Sequence, residues 1–286
     1  MFYIIDKQAN STSRDTVDEL LKKIGIKKGG HSGTLDPFAT GLLIIATEKD
    51  TKYLDRFLES KKTYTGTLFF GKTTDTLDVD GEVTEEKLDA NVDLITLQKV
   101  INEHFIGKIK QVPPRFSAKK INGKKAYELS RSNQDFELKP VKKIVFDFKV
   151  KATATPNEFS FEVTASSGTY IRALARDIGR KLEVPGMLTS LRRTKIGSVD
   201  IKLAQPLSLP PEELKTHSIT ELSKIKMITI RDDLIKLILE GKRTNFDGYD
   251  GFQDDELIFV NIDKTVEVLV RKADRDKTYK IAKRIR

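Results

Sequence analysis

The apolar residues of this 286-residue chain follow two periods, one typical of strands and one typical of helices. Strand-like patterns cover residues 2–6, 42–46, 64–70, 141–152 and 159–165. Helical spacing covers residues 15–23, 51–58, 94–105 and 169–182. The dipeptide Asn122-Gly123 predicts a two-residue hairpin turn. Because strands and helices mix without regular alternation, the pattern predicts an α+β fold.

A second, smaller unit is predicted at the C-terminal end. Three prolines interrupt the pattern, and they place a boundary within residues 207–226. Beyond it, helical spacing covers residues 229–241, and three short strand patterns follow at 256–260, 266–270 and 278–281. We therefore expect two domains, residues 1–225 and a small β-rich domain at residues 226–286.

Composition narrows the class of protein. The chain contains no cysteine, which excludes disulfides, thiol nucleophiles and cysteine-ligated metals. Lysine and arginine total 51 against 42 aspartates and glutamates, and the pI is near 9.4. This balance favours a polyanionic partner, although ordinary soluble proteins also show a modest excess. No run approaches the roughly 18 apolar residues that span a bilayer. The N-terminus also lacks the pattern of a signal peptide, so we expect a cytoplasmic protein without membrane association.

Residues 31–41 place one carboxylate, Asp36, in a turn with unusual backbone requirements. Gly33 and Gly41 permit positive φ, and Pro37 disfavours the helical region for Asp36. One interpretation is an aspartate N-cap followed by a proline at the first helical position. The other is a reactive carboxylate on a rigid loop before the buried strand at 42–46. The spacing alone leaves both open.

Five blocks of sequence occur together in this chain. Residues 30–42 have the sequence Gly-His-Ser-Gly-Thr-Leu-Asp-Pro-Phe-Ala-Thr-Gly-Leu, and the other blocks lie within residues 4–13, 62–78, 111–127 and 167–193. In content and order these blocks resemble the bacterial tRNA pseudouridine synthase B family, over roughly residues 2 to 200. Gln8 and Asn10 stand where that family usually has proline and glycine. Because asparagine tolerates positive φ, we expect the turn to be kept.

The resemblance implies both a fold and an activity. The fold would be α+β, with a catalytic domain at residues 1–225 whose mixed, largely antiparallel central sheet is flanked by helices and loops. Residues 226–286 would form a small PUA-like RNA-binding domain. The implied activity is the isomerisation of uridine to pseudouridine at position 55 in the T-loop of tRNA, with the base flipped out of its stack. The resemblance further implies an enzyme that needs neither a cofactor nor a metal. It also implies a monomer that binds the T-loop and stem of tRNA and has no obligatory protein partner.

The resemblance also assigns the site residues. Asp36 would be the nucleophile and Tyr64 and Arg172 its catalytic partners, although the sequence does not decide whether Asp36 attacks C1′ or first removes a sugar proton. A guanidinium partner would keep the carboxylate ionised in an apolar pocket. The implied substrate-binding residues are His31, Tyr64, Tyr170 and Leu191. The implied contacts to the RNA backbone are Lys7, Lys119 and Lys120.

Other interpretations remain open at this point. Taken singly, Arg172 fits a solvent-facing helix position, and Tyr64 and Leu191 fit core positions. The acidic stretch at residues 75–81 lacks the glycine of a calcium-binding loop, so we expect a surface turn beside the RNA groove. An RNA-binding protein without activity is one competing class. A glycoside hydrolase is another, but such an enzyme usually needs a second carboxylate beside the first.

Overall fold

The structure is a computed structural model that describes residues 1–121, 123–132, 134–223, 225–242, 244–245, 256–260, 267–272 and 278–284. The strands are β1 (Phe2–Lys7), β2 (Gly29–His31), β3 (Thr40–Thr47), β4 (Lys62–Phe70), β5 (Lys72–Thr74), β6 (Val83–Glu86), β7 (Gly107–Gln111), β8 (Lys120–Ile121), β9 (Lys124–Lys125), β10 (Val141–Ala152), β11 (Glu158–Ala165), β12 (Gly186–Ile196), β13 (Val199–Asp200), β14 (Lys226–Thr229), β15 (Thr244–Asn245), β16 (Glu256–Val260), β17 (Glu267–Lys272) and β18 (Thr278–Arg284). The helices are α1 (Ser13–Ile24), α2 (Leu54–Glu59), α3 (Leu94–His104), α4 (Ala126–Arg131), α5 (Ile171–Lys181), α6 (Ile219–Ser223) and α7 (Asp232–Leu239).

A mixed sheet forms the centre of the molecule. Its strand order is β1-β3-β12-β4-β11-β10-β7, with β2 beside β3 and β13 beside β12. The pair β3–β12 is parallel and the other pairs are antiparallel. This arrangement confirms the predicted α+β class with a largely antiparallel sheet. It also makes β12 a central strand, which the apolar pattern did not predict.

Helices α3 and α5 cover one part of this sheet. Helix α5 turns Ile171, Leu174 and Ile178 into a core that includes Phe148 and Phe161 of the sheet. The residues on this helix face are spaced three or four apart, as expected for an amphipathic helix. The start of α5 is therefore fixed against the sheet, and Arg172 lies in its first turn.

Helix α1 shows how local sequence sets an element. Thr12 and Asp15 form a reciprocal capping box at its start, and Gly25 ends it in the left-handed conformation. The turn before this helix keeps its shape as expected, because Asn10 adopts a φ of +63°. The backbone N–H of Asn10 donates to the carbonyl of Pro37 at 2.9 Å, so this turn contacts the loop that carries Asp36.

The C-terminal residues form a second sheet with the order β14-β16-β17-β18-β15. It has a small core of its own around Ile235 and Val270. Ile258 also packs into a cluster with Phe2 of the central sheet, and Tyr53 hydrogen-bonds to Glu267. The β-rich prediction for this region agrees with these strands. The two-domain division stays a prediction, because this sheet shares a core with the rest of the chain. No helix in the described ranges is long and apolar enough to cross a membrane.

Candidate active site

Asp36 lies in a tight turn and not at the start of a helix. The N–H of Ala39 donates to the carbonyl of Asp36 at 3.1 Å, and the chain then enters β3. The turn needs Gly41, whose φ is +106° and whose missing Cβ would lie 2.4 Å from the carbonyl oxygen of Arg193. The N-cap interpretation is therefore excluded. The carboxylate is 33% exposed, so one edge is open to an incoming molecule.

Arg172 binds the inner edge of this carboxylate with its guanidinium fork. Nε donates to Oδ2 of Asp36 at 2.9 Å, and Nη2 donates to Oδ1 at 2.7 Å. Nη1 and Nη2 also donate to the carbonyls of Thr76 and Phe116, at 2.7 and 3.0 Å respectively. The Arg172 side chain is only 6% exposed. Two residues that lie far apart in the sequence thus form one rigid, charge-assisted pair.

Asp78 is a third member of this cluster, and sequence reasoning missed it. Its Oδ2 lies 3.3 Å from Nη1 of Arg172, and its side chain is 4% exposed. The hydroxyl of Thr76 and the N–H of Asp80 both donate to its Oδ1, at 2.6 and 3.0 Å. Burial raises the pKa of Asp78, while the Thr76 hydrogen bond and the Arg172 charge oppose the rise.

The placement of Asp78 corrects the interpretation of residues 75–81 as a surface turn. Asp75 and Asp80 are exposed as expected, but Asp78 points inward against Arg172. The sequence marked this stretch as unusual only by its acidic residues. Nothing in that pattern distinguishes the one buried carboxylate from its exposed neighbours.

Lys7 lies beneath the turn and has no exposed surface. Its Nζ donates to the carbonyls of Gln8 and Ala39, both at 2.7 Å, and to that of Pro37 at 3.3 Å. Burial lowers the pKa of Lys7 to about 8, against the opposing effect of the Asp36 charge. The predicted contact between Lys7 and the RNA backbone does not fit this burial. The side chain instead ties β1 to the Asp36 loop.

Tyr64 and Leu191 lie on the neighbouring strands β4 and β12. Tyr64 is half-buried and packs against the apolar cluster that includes Leu191 and Phe38. In the sheet register, Tyr64 stands directly opposite Arg193, and Leu191 stands opposite Gly66. Residues that pair directly across antiparallel strands project to the same face. The structure therefore brings Tyr64 and Leu191 into one apolar wall beside the Asp36 turn.

Tyr170 immediately precedes helix α5. The side-chain amide of Gln111 holds its backbone on both sides, accepting from the N–H at 2.9 Å and donating to the carbonyl at 3.0 Å. Burial raises the pKa of Tyr170; the Ser117 hydroxyl and the Arg172 charge oppose this rise, and the Asp36 charge adds to it. Tyr170 lies two residues before Arg172, with its backbone fixed by Gln111.

His31 ends strand β2, and its ring is half-buried. The N–H of Gly33 donates to its Nδ1 at 3.3 Å. Burial lowers the pKa of His31, and the charges of Arg193 and, to a lesser extent, Arg14 add to this effect. The imidazole is therefore kept neutral over a wider range of pH than an ordinary histidine.

Lys119 and Lys120 are exposed. Lys119 directly precedes strand β8 and Lys120 is its first residue; β8 pairs with β9 in the predicted hairpin. Beside the Asp36 turn, a cleft of about 450 Å³ is lined by Phe38, Thr65 and Leu191, among others. No group of acidic or histidine side chains in the described part of the chain is arranged to hold a metal ion.

The site combines the partly exposed carboxylate of Asp36, the guanidinium of Arg172 that binds it, and the apolar wall of Tyr64 and Leu191. An ionised carboxylate held in this way can act as a nucleophile or as a base. Enzymes that act on a flipped base hold it between aromatic and apolar side chains. These features suit the chemistry of an extruded nucleoside.

Comparison with known proteins gives the class. Residues 21–171 match the model of the TruB family pseudouridylate synthase N-terminal domain. The chain is 41% identical over 254 residues to tRNA pseudouridine synthase B of Aquifex aeolicus, covering 86% of this chain and 88% of that protein. It is 33% identical over 286 residues to tRNA pseudouridine synthase B of Thermosipho melanesiensis, covering 97% and 92%. The chain therefore belongs to the TruB family of pseudouridylate synthases.

The fold is also found among solved structures. A crystal structure of a Cbf5–Nop10–Gar1 complex contains a chain that matches with a TM-score of 0.65 and 19% identity. The match covers all of this chain and 84% of that one. At this identity the likeness concerns the fold, and it extends over both sheets described above.

Proposed function

We propose that this enzyme converts uridine 55 in the T-loop of tRNA to pseudouridine. The observation that carries the proposal is the partly exposed Asp36 carboxylate, held at both oxygens by Arg172 beside the apolar wall of Tyr64 and Leu191. The relatives named above are tRNA pseudouridine synthases B, which supports tRNA as the substrate. The chemistry breaks the bond from C1′ to N1 and joins C1′ to C5 of the same uracil.

In this proposal Asp36 acts as the nucleophile. Two routes are compatible with one ionised carboxylate, namely direct attack on C1′ or initial removal of a sugar proton. Both need the target nucleotide to be flipped out, because the stack hides these atoms. Arg172 holds both carboxylate oxygens and prevents the carboxylate from rotating.

The other site residues bind the flipped nucleotide. Tyr64 stacks on the uracil and supplies a hydroxyl for proton exchange at C5. Tyr170 and Leu191 close the opposite edges of the base pocket, and His31 helps to hold the RNA loop open. These roles fit the positions of the four residues around the Asp36 turn. An aromatic ring at such a position stabilises a flipped base by stacking on it.

RNA binding is assigned to exposed cations and to the C-terminal domain. Lys119 and Lys120 contact backbone phosphates, since both side chains are exposed at the start of the β8–β9 hairpin. Residues 226–286 act as a PUA-like RNA-binding domain, while residues 1–225 hold the catalytic site. The enzyme works as a cytoplasmic monomer without a cofactor or an obligatory protein partner.

The test is a map of modified uridines in a tRNA transcript incubated with the full-length protein. We expect one new pseudouridine, at position 55, and none in a transcript that carries cytidine there. Pseudouridine at a different position would overturn the proposed target. A transcript that remains wholly unmodified would overturn the proposed tRNA substrate.

A further inference from the structure

Phe146 lies on strand β10 and is 51% exposed. A β-bulge interrupts the pairing of β10 with β11 between Val145 and Asp147, and Phe146 is the residue inside it. Bulges redirect side chains and are frequent beside active sites. Single exposed apolar residues are common on protein surfaces, so the surroundings of Phe146 decide whether its position has a function.

Two lysines accompany this aromatic ring. Nζ of the exposed Lys61 lies over the ring of Phe146, 5.8 Å from its centroid. Lys143 lies on the same strand as Phe146, and its Nζ donates to the carbonyl of Ser167 at 2.8 Å. Burial lowers the pKa of Lys143, and the charge of Lys119 adds to this effect. In the part of the chain that the structure describes, neither Lys61 nor Lys143 forms a salt bridge with a carboxylate. The ring therefore belongs to a surface whose positive charge is not neutralised by an ion pair.

This surface adjoins both loops that hold the Asp36–Arg172 pair. Ser167, in the loop that leads into α5 and Arg172, donates from its Oγ to the carbonyl of Leu58. Leu58 is 37% exposed, and a Cβ at Gly33, in the loop that leads to Asp36, would lie 3.7 Å from its Cδ2. We call this surface the Phe146 patch and define it by four residues, Leu58, Lys61, Lys143 and Phe146.

The combination of an exposed ring with cations matches the chemistry of an unpaired nucleotide. Proteins bind such nucleotides by stacking the base on an aromatic side chain and by placing cations at the phosphates. The Phe146 patch offers both kinds of contact beside the reactive carboxylate. A protein partner fits less well, because lysine is depleted in the cores of protein interfaces. Charge complementarity therefore favours RNA as the occupant.

We propose that the Phe146 patch is a subsite for an unpaired nucleotide of tRNA that lies beside the flipped uridine. The base stacks on Phe146, and Lys61 and Lys143 bind the adjoining phosphates. The patch contributes to affinity and takes no part in the chemical step. This inference rests on the function proposed above, because it takes tRNA as the substrate.

The first test measures the tRNA dissociation constant and the single-turnover rate at saturating tRNA for two variants of the full-length protein. Phe146→Leu keeps an apolar side chain but loses the aromatic face, so it should weaken binding by about fivefold or more. Its rate at saturation should stay within about twofold of wild type. Phe146→Tyr keeps the ring and should bind tRNA like wild type.

A second pair of aromatic ring and lysine provides the matched control. Nζ of Lys72 lies 6.0 Å from the ring centroid of Phe69, at the opposite end of β4 from Lys61. Phe69→Leu should leave the affinity unchanged. Lys61→Met should reduce the slope of affinity against salt by about one, whereas Lys72→Met should not.

Three results would overturn the inference. These are wild-type affinity in Phe146→Leu, equal losses of affinity in Phe146→Leu and Phe146→Tyr, and an equal loss in Phe69→Leu. A wild-type protein that binds tRNA but forms no pseudouridine would instead refute the proposed function, and the affinities would still decide about the patch.

Photocrosslinking tests the same contact in the wild-type chain, without any variant. Two tRNAs carry 5-iodouridine at one loop position, on either side of residue 55, and a third carries it in the anticodon loop for comparison. After irradiation, mass spectrometry should find Phe146 crosslinked to at least one of the first two tRNAs and not to the third. The absence of Phe146 from the crosslinked peptides of both T-loop tRNAs would contradict the proposal.

Discussion

Two buried guanidinium groups contact the loop that carries Asp36, and their charges are balanced in different ways. Arg172 lies between two carboxylates, Asp36 and Asp78. Arg193 donates to the backbone carbonyls of Leu42 and Gly33, and it stands opposite Tyr64 in the register of β4 and β12. The first group holds both oxygens of the reactive carboxylate, whereas the second ties the loop before that carboxylate to strand β12. A buried arginine therefore has no single meaning in an active site, and its partners decide its role.

The largest expected effect distinguishes these two arginines. Arg172→Met leaves the buried Asp78 without its cation, and breaking a buried pair costs about 3–5 kcal/mol. Arg193→Met leaves no buried carboxylate, so we expect a smaller loss in the free energy of unfolding. Urea denaturation of both variants gives the comparison.

This comparison of arginine variants has a control variant and a second substitution that should restore part of the lost stability. Arg180 lies on the same helix with a 70% exposed side chain, so Arg180→Met should be close to wild type. Adding Asp78→Asn to Arg172→Met removes the orphaned charge and should restore part of the stability, but not the activity. Equal losses for Arg172→Met and Arg193→Met would break the distinction drawn above.

A second prediction concerns Lys7, the buried cation beneath the turn. Its pKa is about 8 in the folded protein against an ordinary 10.5, so between these values the unfolded chain binds a proton that the folded chain lacks. Stability therefore rises with pH across this window. Relative to Lys7→Met, wild type should gain up to about 3 kcal/mol from pH 8 to 10.5.

Thermal or urea unfolding at a series of pH values measures this gain. Lys99→Met changes an exposed lysine on α3 and should show no such difference from wild type. A constant gap between wild type and Lys7→Met over the whole window would show that Lys7 is not desolvated.

The smallest effect, on tRNA affinity, is expected at the exposed residues Lys119 and Lys120 at the start of the β8–β9 hairpin. Replacing Lys119 and Lys120 by methionine should weaken tRNA binding and reduce the slope of affinity against salt by about one for each lost phosphate contact. The rate at saturating tRNA should not change, because contacts to backbone phosphates set affinity and position on the RNA and not the chemical step. A salt slope identical to that of wild type would remove these lysines from the RNA interface.

The sequence predicted those elements whose apolar pattern is simple. Helix α5 and the pair β10–β11 lie within about two residues of their predicted positions, because their buried residues keep one period throughout. Strand β12 was missed, since its apolar residues are interrupted by Arg192 and Arg193. The second of these is buried where a hydrophobic residue would normally mark a strand.

At the site, too, the sequence predicted some residues and missed others. Asp36 and Arg172 were paired from the motifs that carry them, and the structure brings them within hydrogen-bond distance. The inward position of Asp78 and the burial of Lys7 were not predictable. Both depend on which face of a loop meets the core, and a short polar stretch carries no period that records its orientation.

The most direct measurement is the rate of pseudouridine formation by Asp36→Asn, set beside its affinity for the same tRNA. The amide keeps the shape of the carboxylate but removes its charge and its nucleophilicity, so we predict no detectable product and nearly unchanged binding. Asp89→Asn, which changes an exposed carboxylate outside the site, should form product like wild type. Product formation by Asp36→Asn at the wild-type rate would contradict the central claim that this carboxylate carries out the reaction.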